Sequence, residues 1–324
     1  MTPRPRHRIL RSGARVALTL LLAAPLAGCA TTTNPVPLPD GTEAPPAQDA
    51  KLVAYNVALG AVAGGLGALL NGEDEGALRR TARGAGWGAV GGAVGYAGKW
   101  QAGEVAEHGT LAYALPARLL HDVGASITEN AAHGRPPLDR FASHLGPIRV
   151  EVRPRTGAVR ARVMPLAAAA FGVILADGRN RLDVRRSLAY GSPVFMTDTV
   201  RPPFGGEAGR FSGYFVQGSV LIQRRADPVG FRYDTAAHEL VHLLQLSEWV
   251  RIEAALRAPA DRLLRRSAAY RGLARWVYLD SPALFAFGYE GLEGGARPFP
   301  CYYNNGFERE AEAFAERRPV GTCP

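Results

Sequence analysis

The chain has 324 residues, of which 47% are apolar and 21% are charged. This composition excludes a uniformly disordered chain, because so much apolar side chain can be buried and the charge density is ordinary. The length predicts a folded core with one smaller module. The formal charge of +9 suggests binding to nucleic acid or a membrane. This interpretation depends on where the charge lies along the chain.

Much of the positive charge lies at the N-terminus. Five arginines precede a short apolar run over residues 16–22, and they are Arg4, Arg6, Arg8, Arg11 and Arg15. A basic segment, an apolar run too short to span a bilayer and then small residues are typical of an export signal. Loss of these five arginines leaves 33 of the 38 basic side chains against 29 acidic ones, a formal charge of +4. We therefore expect no nucleic-acid partner.

The signal ends in the sequence Leu-Ala-Gly-Cys at residues 26–29, which resembles the lipobox of bacterial lipoproteins. The resemblance implies that residues 1–28 are removed and that Cys29 is lipidated. The expected location is the bacterial cell envelope, at the outer membrane and facing the periplasm. The alternative is that Cys29 is an ordinary core cysteine.

Two cysteines lie outside the signal, Cys301 and Cys323. An even number is expected in an oxidising compartment, and we predict a disulfide between them. A bridge of this span stabilises a fold by about 3 kcal/mol in the chain-entropy description. The alternative is a pair of unpaired, buried thiols.

Two segments follow the lipidation site. Residues 29–50 contain threonine and proline but few large apolar residues, which predicts a disordered tether. Residues 51–100 contain two uncharged arms, 52–70 and 84–98, separated by an acidic loop. In the second arm Gly84, Gly88 and Gly92 recur every four residues, so they share one helix face and permit close backbone approach.

The two arms resemble the glycine-zipper hairpin of some bacterial envelope proteins. The first arm is barely long enough to span a bilayer and the second is shorter than the roughly 20 residues required. The hairpin either associates with the membrane or packs against the soluble part of the chain, and the sequence leaves both open.

Residues 101–324 predict an α+β domain, because strand patterns come first and helical patterns follow. A helix is predicted over 110–130, and a β-hairpin over 148–153 and 159–163, where apolar and charged residues alternate as in a hairpin with one solvated face. Further strands are predicted at 171–175, 193–196 and 213–223, with Gly218 as a bulge in the last. Beyond Asp234 the pattern is helical to the C-terminus.

The motif that indicates chemistry is His238-Glu239-Leu240-Val241-His242, an HExxH sequence. Histidines four apart on a helix point from one face and can occupy adjacent positions on a zinc ion. Glu239 then lies where it can take the proton of a zinc-activated water. Residues 236–246 are otherwise almost entirely apolar, which predicts a buried helix whose polar groups need partners. The alternative is a core helix with hydrogen-bonded histidines.

A zinc ion needs a third protein ligand, and no histidine follows His242. Glu248 is a weak candidate, because a continuous helix points it away from both histidines. The better candidate is Glu308, on a helix predicted near the C-terminus, with Glu310 as the next choice. Glu308 also fits a capping box with Asn305, and the glutamates of this helix could equally face water.

The HExxH motif followed by Glu308, Ala311 and Glu312 resembles the gluzincin type of zinc metallopeptidase, whose third ligand comes from a later ExxA(D/E) helix. The resemblance covers the part of the chain from the last predicted strands to the C-terminus. It implies a zincin-like fold, a Zn²⁺ cofactor held by His238, His242 and Glu308, and Glu312 as the acceptor that orients a ligand histidine.

The same resemblance implies hydrolysis of a peptide or protein substrate, with Glu239 as general base. It further implies that a sheet-edge strand, here within 213–223, pairs with the extended substrate. Tyr302 and Tyr303 are candidate oxyanion donors, although aromatic packing is the alternative for both.

A second function class is compatible with these features. The chain could be a structural envelope lipoprotein whose glycine hairpin associates with the membrane and whose zinc only stabilises the fold. In that case protein ligands would close the fourth coordination position.

Overall fold

The computed structural model describes residues 46–71, 76–199, 213–224, 231–279 and 306–315. Several sequence predictions lie outside these described residues: the export signal with Cys29, nearly all of the tether, the pair Cys301 and Cys323, and the side chains of Tyr302, Tyr303 and Asn305.

Two long helices open the described part of the chain, α1 (Pro46–Asn71) and α2 (Ala77–Glu107). They pack antiparallel along their glycines, as the four-residue spacing predicts. A Cβ built on Gly88 would lie 2.1 Å from the carbonyl oxygen of Gly60, and one on Gly64 would lie 2.3 Å from that of Gly84. The two backbones therefore touch, which side chains at these positions would prevent.

Helix α1 meets the length and composition expected of a membrane span over residues Ala50–Asn71, with a mean hydropathy of 1.7. Of its most apolar stretch, 39% is buried inside the protein. Membrane spans and core helices share these properties, so α1 is compatible with both predicted locations of the hairpin.

The predicted helix over 110–130 is confirmed as a short 3-10 turn (Leu111–Tyr113) followed by α3 (Ala114–Ala132). It packs on α2 by a second set of close approaches. A Cβ on Gly124 would lie 2.5 Å from the carbonyl oxygen of Gly91. Helices α1, α2 and α3 are thus tightly packed against one another.

The next segment forms a three-stranded antiparallel sheet of β1 (Phe141–Leu145), β2 (Ile148–Arg153) and β3 (Ala158–Val163). The predicted hairpin of β2 and β3 is confirmed. The expectation that its charged face meets solvent holds for Arg153 and Arg160 but is wrong for the middle of β2. Arg149 is 1% exposed and Glu151 is 5% exposed, whereas Ile148 is 41% exposed.

The charged face of β2 is buried because other elements supply its partners. The guanidinium of Arg149 donates to Glu151 at 2.8 Å and to Glu129 of α3 at 2.7 Å. It also lies 4.4 Å from the centroid of the Tyr278 ring. Burial raises the pKa of Glu151, but Arg149 and Arg140 outweigh this effect and lower that pKa to about 2.

A second sheet has four strands in the order β4-β5-β7-β6, namely β4 (Arg181–Leu182), β5 (Val194–Thr197), β7 (Ser219–Gln223) and β6 (Gly213–Val216). Strands β5 and β7 are parallel, and the other pairs are antiparallel. The predicted strand at 193–196 is confirmed as β5. Strand β6 forms one edge of this sheet.

Two strand predictions are wrong. Residues 171–175 lie in a helix, α4 (Pro165–Ala176), because Pro165 at its first turn and the alanines that follow favour a helix. Residues 213–223 form a hairpin rather than one bulged strand. Gln217 and Gly218 both have positive φ, 45° and 82°, and they make the two-residue turn between β6 and β7.

The remaining helices of the described residues are α5 (Val184–Tyr190), α6 (Tyr233–Leu264), α7 (Ala268–Leu273) and α8 (Gly306–Ala315). The predicted helical character after Asp234 holds for most of the described residues there, although Val277 forms a β-bridge with Val163. One apolar core joins α2, α3, α6, α8 and the second sheet. The predicted α+β class is therefore confirmed.

Candidate metal centre

The HExxH sequence lies near the N-terminal end of α6, against strand β6 on one side and helix α8 on another. Every residue from 236 to 246 is buried except His238, which is partly buried. The predicted buried helix is confirmed. Its polar side chains must therefore be satisfied by protein groups or by a bound ion.

Helix α8 brings Glu308 to the two histidines. His238 Nε2 lies 3.0 Å from Glu308 Oε2 and 3.0 Å from His242 Nε2. His242 Nε2 lies 3.3 Å from Glu308 Oε1. Two imidazoles and one carboxylate thus point into one small volume, and one donor atom from each lies within 4.8 Å of the others.

These residues fit a zinc ion. Tetrahedral ligands at zinc distances are about 3.3 Å apart, close to the separations of 3.0 Å and 3.3 Å found between the donor atoms. Nitrogen and oxygen donors from two histidines and one glutamate form the ligand set of one class of catalytic zinc site. One further group of metal-type donors in the described residues, Glu104, Glu107 and His108, lies at the C-terminal end of α2 and is mostly exposed.

Electrostatics within the group follow from burial and mutual contact. Burial raises the pKa of Glu308, but His242 and hydrogen bonds to both imidazoles outweigh this effect and hold that pKa well below its usual range. Burial lowers the pKa of His238, but its hydrogen bond to Glu308 outweighs that, and the net pKa is raised. The Glu308 carboxylate is therefore ionised and can act as a metal ligand.

Glu239 lies on the same turn of α6 and is 6% exposed. Its carboxylate reaches towards strand β6, because a Cβ built on Gly213 would lie only 2.8 Å from Glu239 Oε1. Tyr190 also contacts this turn: its buried hydroxyl donates to the carbonyl oxygen of Ala236 at 2.9 Å. A glycine at 213 therefore leaves the space that the Glu239 carboxylate occupies beside the sheet edge.

The back of the His242 ring is also engaged. His242 Nδ1 lies 2.8 Å from Gln245 Oε1. The amide nitrogen of Gln245 donates to the carbonyl oxygen of Phe307 at 3.0 Å and to Glu310 Oε2 at 2.9 Å. Gln245 therefore connects a candidate metal ligand on α6 to helix α8.

No family model, curated protein or solved structure matches this chain. A function must therefore be inferred from the chemistry of these residues.

The structure places the other candidate residues as follows. Glu312 Oε1 lies 3.8 Å from His238 Nδ1, near the imidazole but beyond hydrogen-bond distance. Glu310 points away from the donor group and contacts Gln245 and Lys99. Glu248 also contacts Lys99 rather than His238 or His242, as expected from the direction in which a continuous helix points it.

Two residues near this site, Lys99 and Asn56, were not predicted from the sequence. Both come from the glycine-rich helices, which the sequence predicts to be a separate module. One signal was present: Lys99 directly follows the uncharged arm 84–98. A charge beside an apolar, tightly packed segment indicates a buried partner.

Proposed function

We propose that this chain is a zinc-dependent peptidase of the gluzincin type with a zincin-like catalytic domain. The observation that carries the proposal is the convergence of His238, His242 and Glu308 from two separate helices, with Glu239 adjacent on α6. A structural core histidine pair does not need a third donor at metal-binding distance from both rings.

In this proposal His238, His242 and Glu308 hold the zinc ion. Bound zinc would supply Lewis-acid chemistry, polarising the peptide carbonyl and making water acidic enough to react near neutral pH. Glu239 accepts a proton from the attacking water as the new C–O bond forms. It then passes that proton to the leaving amine as the C–N bond breaks. Burial of Glu239 keeps its carboxylate beside the reacting groups and away from bulk water.

Strand β6 is the proposed docking edge for the substrate. It is the outer strand of the second sheet and runs beside the turn that carries Glu239. An extended peptide can add to such an edge by main-chain hydrogen bonds, which would bring its carbonyl groups past Glu239. Peptides and unfolded protein segments are therefore the proposed substrate class, with Tyr302 or Tyr303 as candidate oxyanion donors.

The proposed location is the periplasmic face of the outer membrane, with Cys29 lipidated and a disulfide between Cys301 and Cys323. The basic and apolar N-terminus with its lipobox supports this proposal. The glycine-rich helices would lie between the anchor and the catalytic domain.

The test begins with the zinc content of the purified chain and its hydrolysis of a denatured protein substrate. One zinc per chain and chelator-sensitive hydrolysis are expected. Glu239→Gln should abolish hydrolysis and retain the zinc, because it removes the proton acceptor but no metal ligand. Asp234→Asn is the matched control, since this carboxylate is exposed on the first turn of the same helix.

Unchanged hydrolysis by Glu239→Gln would contradict the mechanism. Zinc binding without hydrolysis, together with unfolding of His238→Ala but not of Glu239→Ala, would instead support the structural envelope lipoprotein with a non-catalytic zinc.

A further inference from the structure

Lys99 of α2 is a buried charge close to the candidate metal centre. Its side chain is 0% exposed, and its ammonium donates to Glu310 Oε1 at 2.7 Å and to Glu248 Oε2 at 2.8 Å. Glu248 belongs to α6 and Glu310 to α8. One lysine from the glycine-rich helices therefore joins the two helices that carry the metal-type donors. A buried ion pair rarely adds much stability by itself. Stability alone therefore does not explain why Lys99 is buried between these two carboxylates.

The side chain of Gln245 carries this connection to the metal centre. Its amide nitrogen has two acceptors, the carbonyl oxygen of Phe307 and the carboxylate of Glu310. Since both groups only accept hydrogen bonds, the amide must turn its oxygen towards His242 Nδ1, 2.8 Å away. His242 Nδ1 therefore donates, so in the neutral ring Nε2 is the unprotonated nitrogen. That Nδ1–H tautomer is the one that a ligand binding through Nε2 requires.

Glu310 is the residue on which these contacts meet. Lys99 donates to its Oε1, Gln245 donates to its Oε2, and Asn56 of α1 donates to Oε1 at 3.2 Å. Three donors from three different helices thus hold one buried carboxylate. If the cation were absent, Glu310 would keep only the neutral donors Asn56 and Gln245 among the described residues, and a buried carboxylate without a cation tends to move towards water. That movement would weaken its hold on Gln245.

We propose that Lys99 is a positioning residue for the metal centre: through Glu310 and Gln245 it fixes the ring orientation and tautomer of His242. The glycine-rich helices are then part of the metal centre, because they deliver Lys99 and Asn56 to it. This inference rests on the proposed zinc site, and it assigns to α1 and α2 a role that is independent of any membrane contact.

The test is Lys99→Met in the full chain, which keeps the length of the side chain and removes its charge. Zinc affinity is measured by competition with a chromophoric chelator, and ligand geometry by the visible absorption bands of the Co²⁺-substituted protein. Groups that orient metal ligands typically change affinity by about 10-fold to 100-fold. We expect a loss of this size with altered Co²⁺ bands and unchanged far-UV circular dichroism. Lys51→Met is the matched control, because Lys51 is the only other lysine and is exposed on α1.

Lys99→Met leaves Glu248 and Glu310 without the lysine cation, and removing one partner of a buried ion pair destabilises a fold. A second variant therefore compensates the charge. The variant Lys99→Met/Glu248→Gln removes one charge of each sign and leaves Glu310 without the lysine. It should fold and still bind zinc more weakly than wild type. Gln245→Leu should give a similar loss, and adding Lys99→Met to it should change affinity little further, because both substitutions act on His242 through one set of contacts.

Wild-type zinc affinity and Co²⁺ bands in the folded charge-compensated variant would overturn the inference while leaving the proposed function intact. Fully additive losses for Gln245→Leu and Lys99→Met would also overturn it. A wild-type chain that binds no zinc would overturn the proposed function and the inference together.

Discussion

The close contact between α1 and α2 predicts opposite effects for two alanine substitutions two residues apart. In Gly88→Ala the new Cβ would lie 2.1 Å from the oxygen and 2.9 Å from the carbon of the Gly60 carbonyl, and 3.1 Å from Gly64 Cα. All three atoms belong to the backbone of α1, so no side chain can rotate away. In Gly86→Ala the new Cβ meets nothing within 4 Å.

The expected free energies follow from these distances. Ordinary contact distance between a methyl carbon and an oxygen is about 3.5 Å, so α1 would have to move by more than 1 Å to accommodate alanine at 88. Overpacking of this kind lowers the free energy of unfolding by about 1–3 kcal/mol, and the better helix propensity of alanine offsets about 0.8 kcal/mol of that loss. We expect Gly88→Ala to lower the free energy of unfolding by about 0.2–2 kcal/mol, and Gly86→Ala to raise it by about 0.5–1 kcal/mol.

Urea denaturation of the metal-free protein, followed by far-UV circular dichroism, measures both variants against wild type. The slopes of the transitions should be equal, so that a shift in midpoint reports stability. A Gly88→Ala variant that is stabilised as much as Gly86→Ala would show that the two helix backbones are not in contact.

Four further predictions concern the site and the buried ion pairs. Glu308→Gln should lower zinc affinity by about 100-fold or more, because it removes a ligand rather than an orienting group, as chelator competition would show. Zinc at 100 times its dissociation constant should stabilise the fold by about 2.7 kcal/mol, so chelation should lower the melting temperature. The pKa of Glu151 falls from 4.5 to about 2 on folding. Its ionised carboxylate therefore stabilises the fold by at most about 3 kcal/mol, a contribution that is complete above pH 4.5 and is lost as the pH falls towards 2. Urea midpoints across this range should show the loss, and Arg149→Met should make the midpoint depend less on pH. Gly213→Ala would place a Cβ 2.3 Å from Thr235 Cγ2 and 2.8 Å from Glu239 Oε1. Both side chains would have to move, so it should reduce hydrolysis of a denatured protein while the zinc content stays unchanged.

The geometry of the candidate site could be predicted from the sequence where one helix determines it. Histidines at 238 and 242 share a face in any helix, and the apolar residues around them predict burial. The pattern of Glu308, Ala311 and Glu312 pointed to the helix that the structure brings beside them. These inferences depend on local spacing and on a motif, both of which are present in the sequence itself. Whether the three donors bind zinc is a prediction that the metal content tests.

Contacts between distant segments could not be predicted. Nothing in the sequence near Lys99 indicates Glu248 or Glu310 as its partners, since packing of α2 against two later helices creates that contact. The burial of Arg149 has the same origin, because its partner Glu129 comes from another element. Alternation of charged and apolar residues predicts a strand correctly, but which face is buried depends on what packs against it.

The position of Lys99 also determines where this chain can be divided without damage. A fragment beginning at Trp100 would lose Lys99 and leave Glu248 and Glu310, each within 3 Å of the missing ammonium, as neighbouring carboxylates with no cation between them. It would also begin in the middle of α2, which continues to Glu107. Limited proteolysis of the folded protein should therefore release a large product that retains the glycine-rich helices, cut in the tether that precedes them. Under the proposed lipid anchoring at Cys29, such a cut would release the complete candidate metal centre into solution.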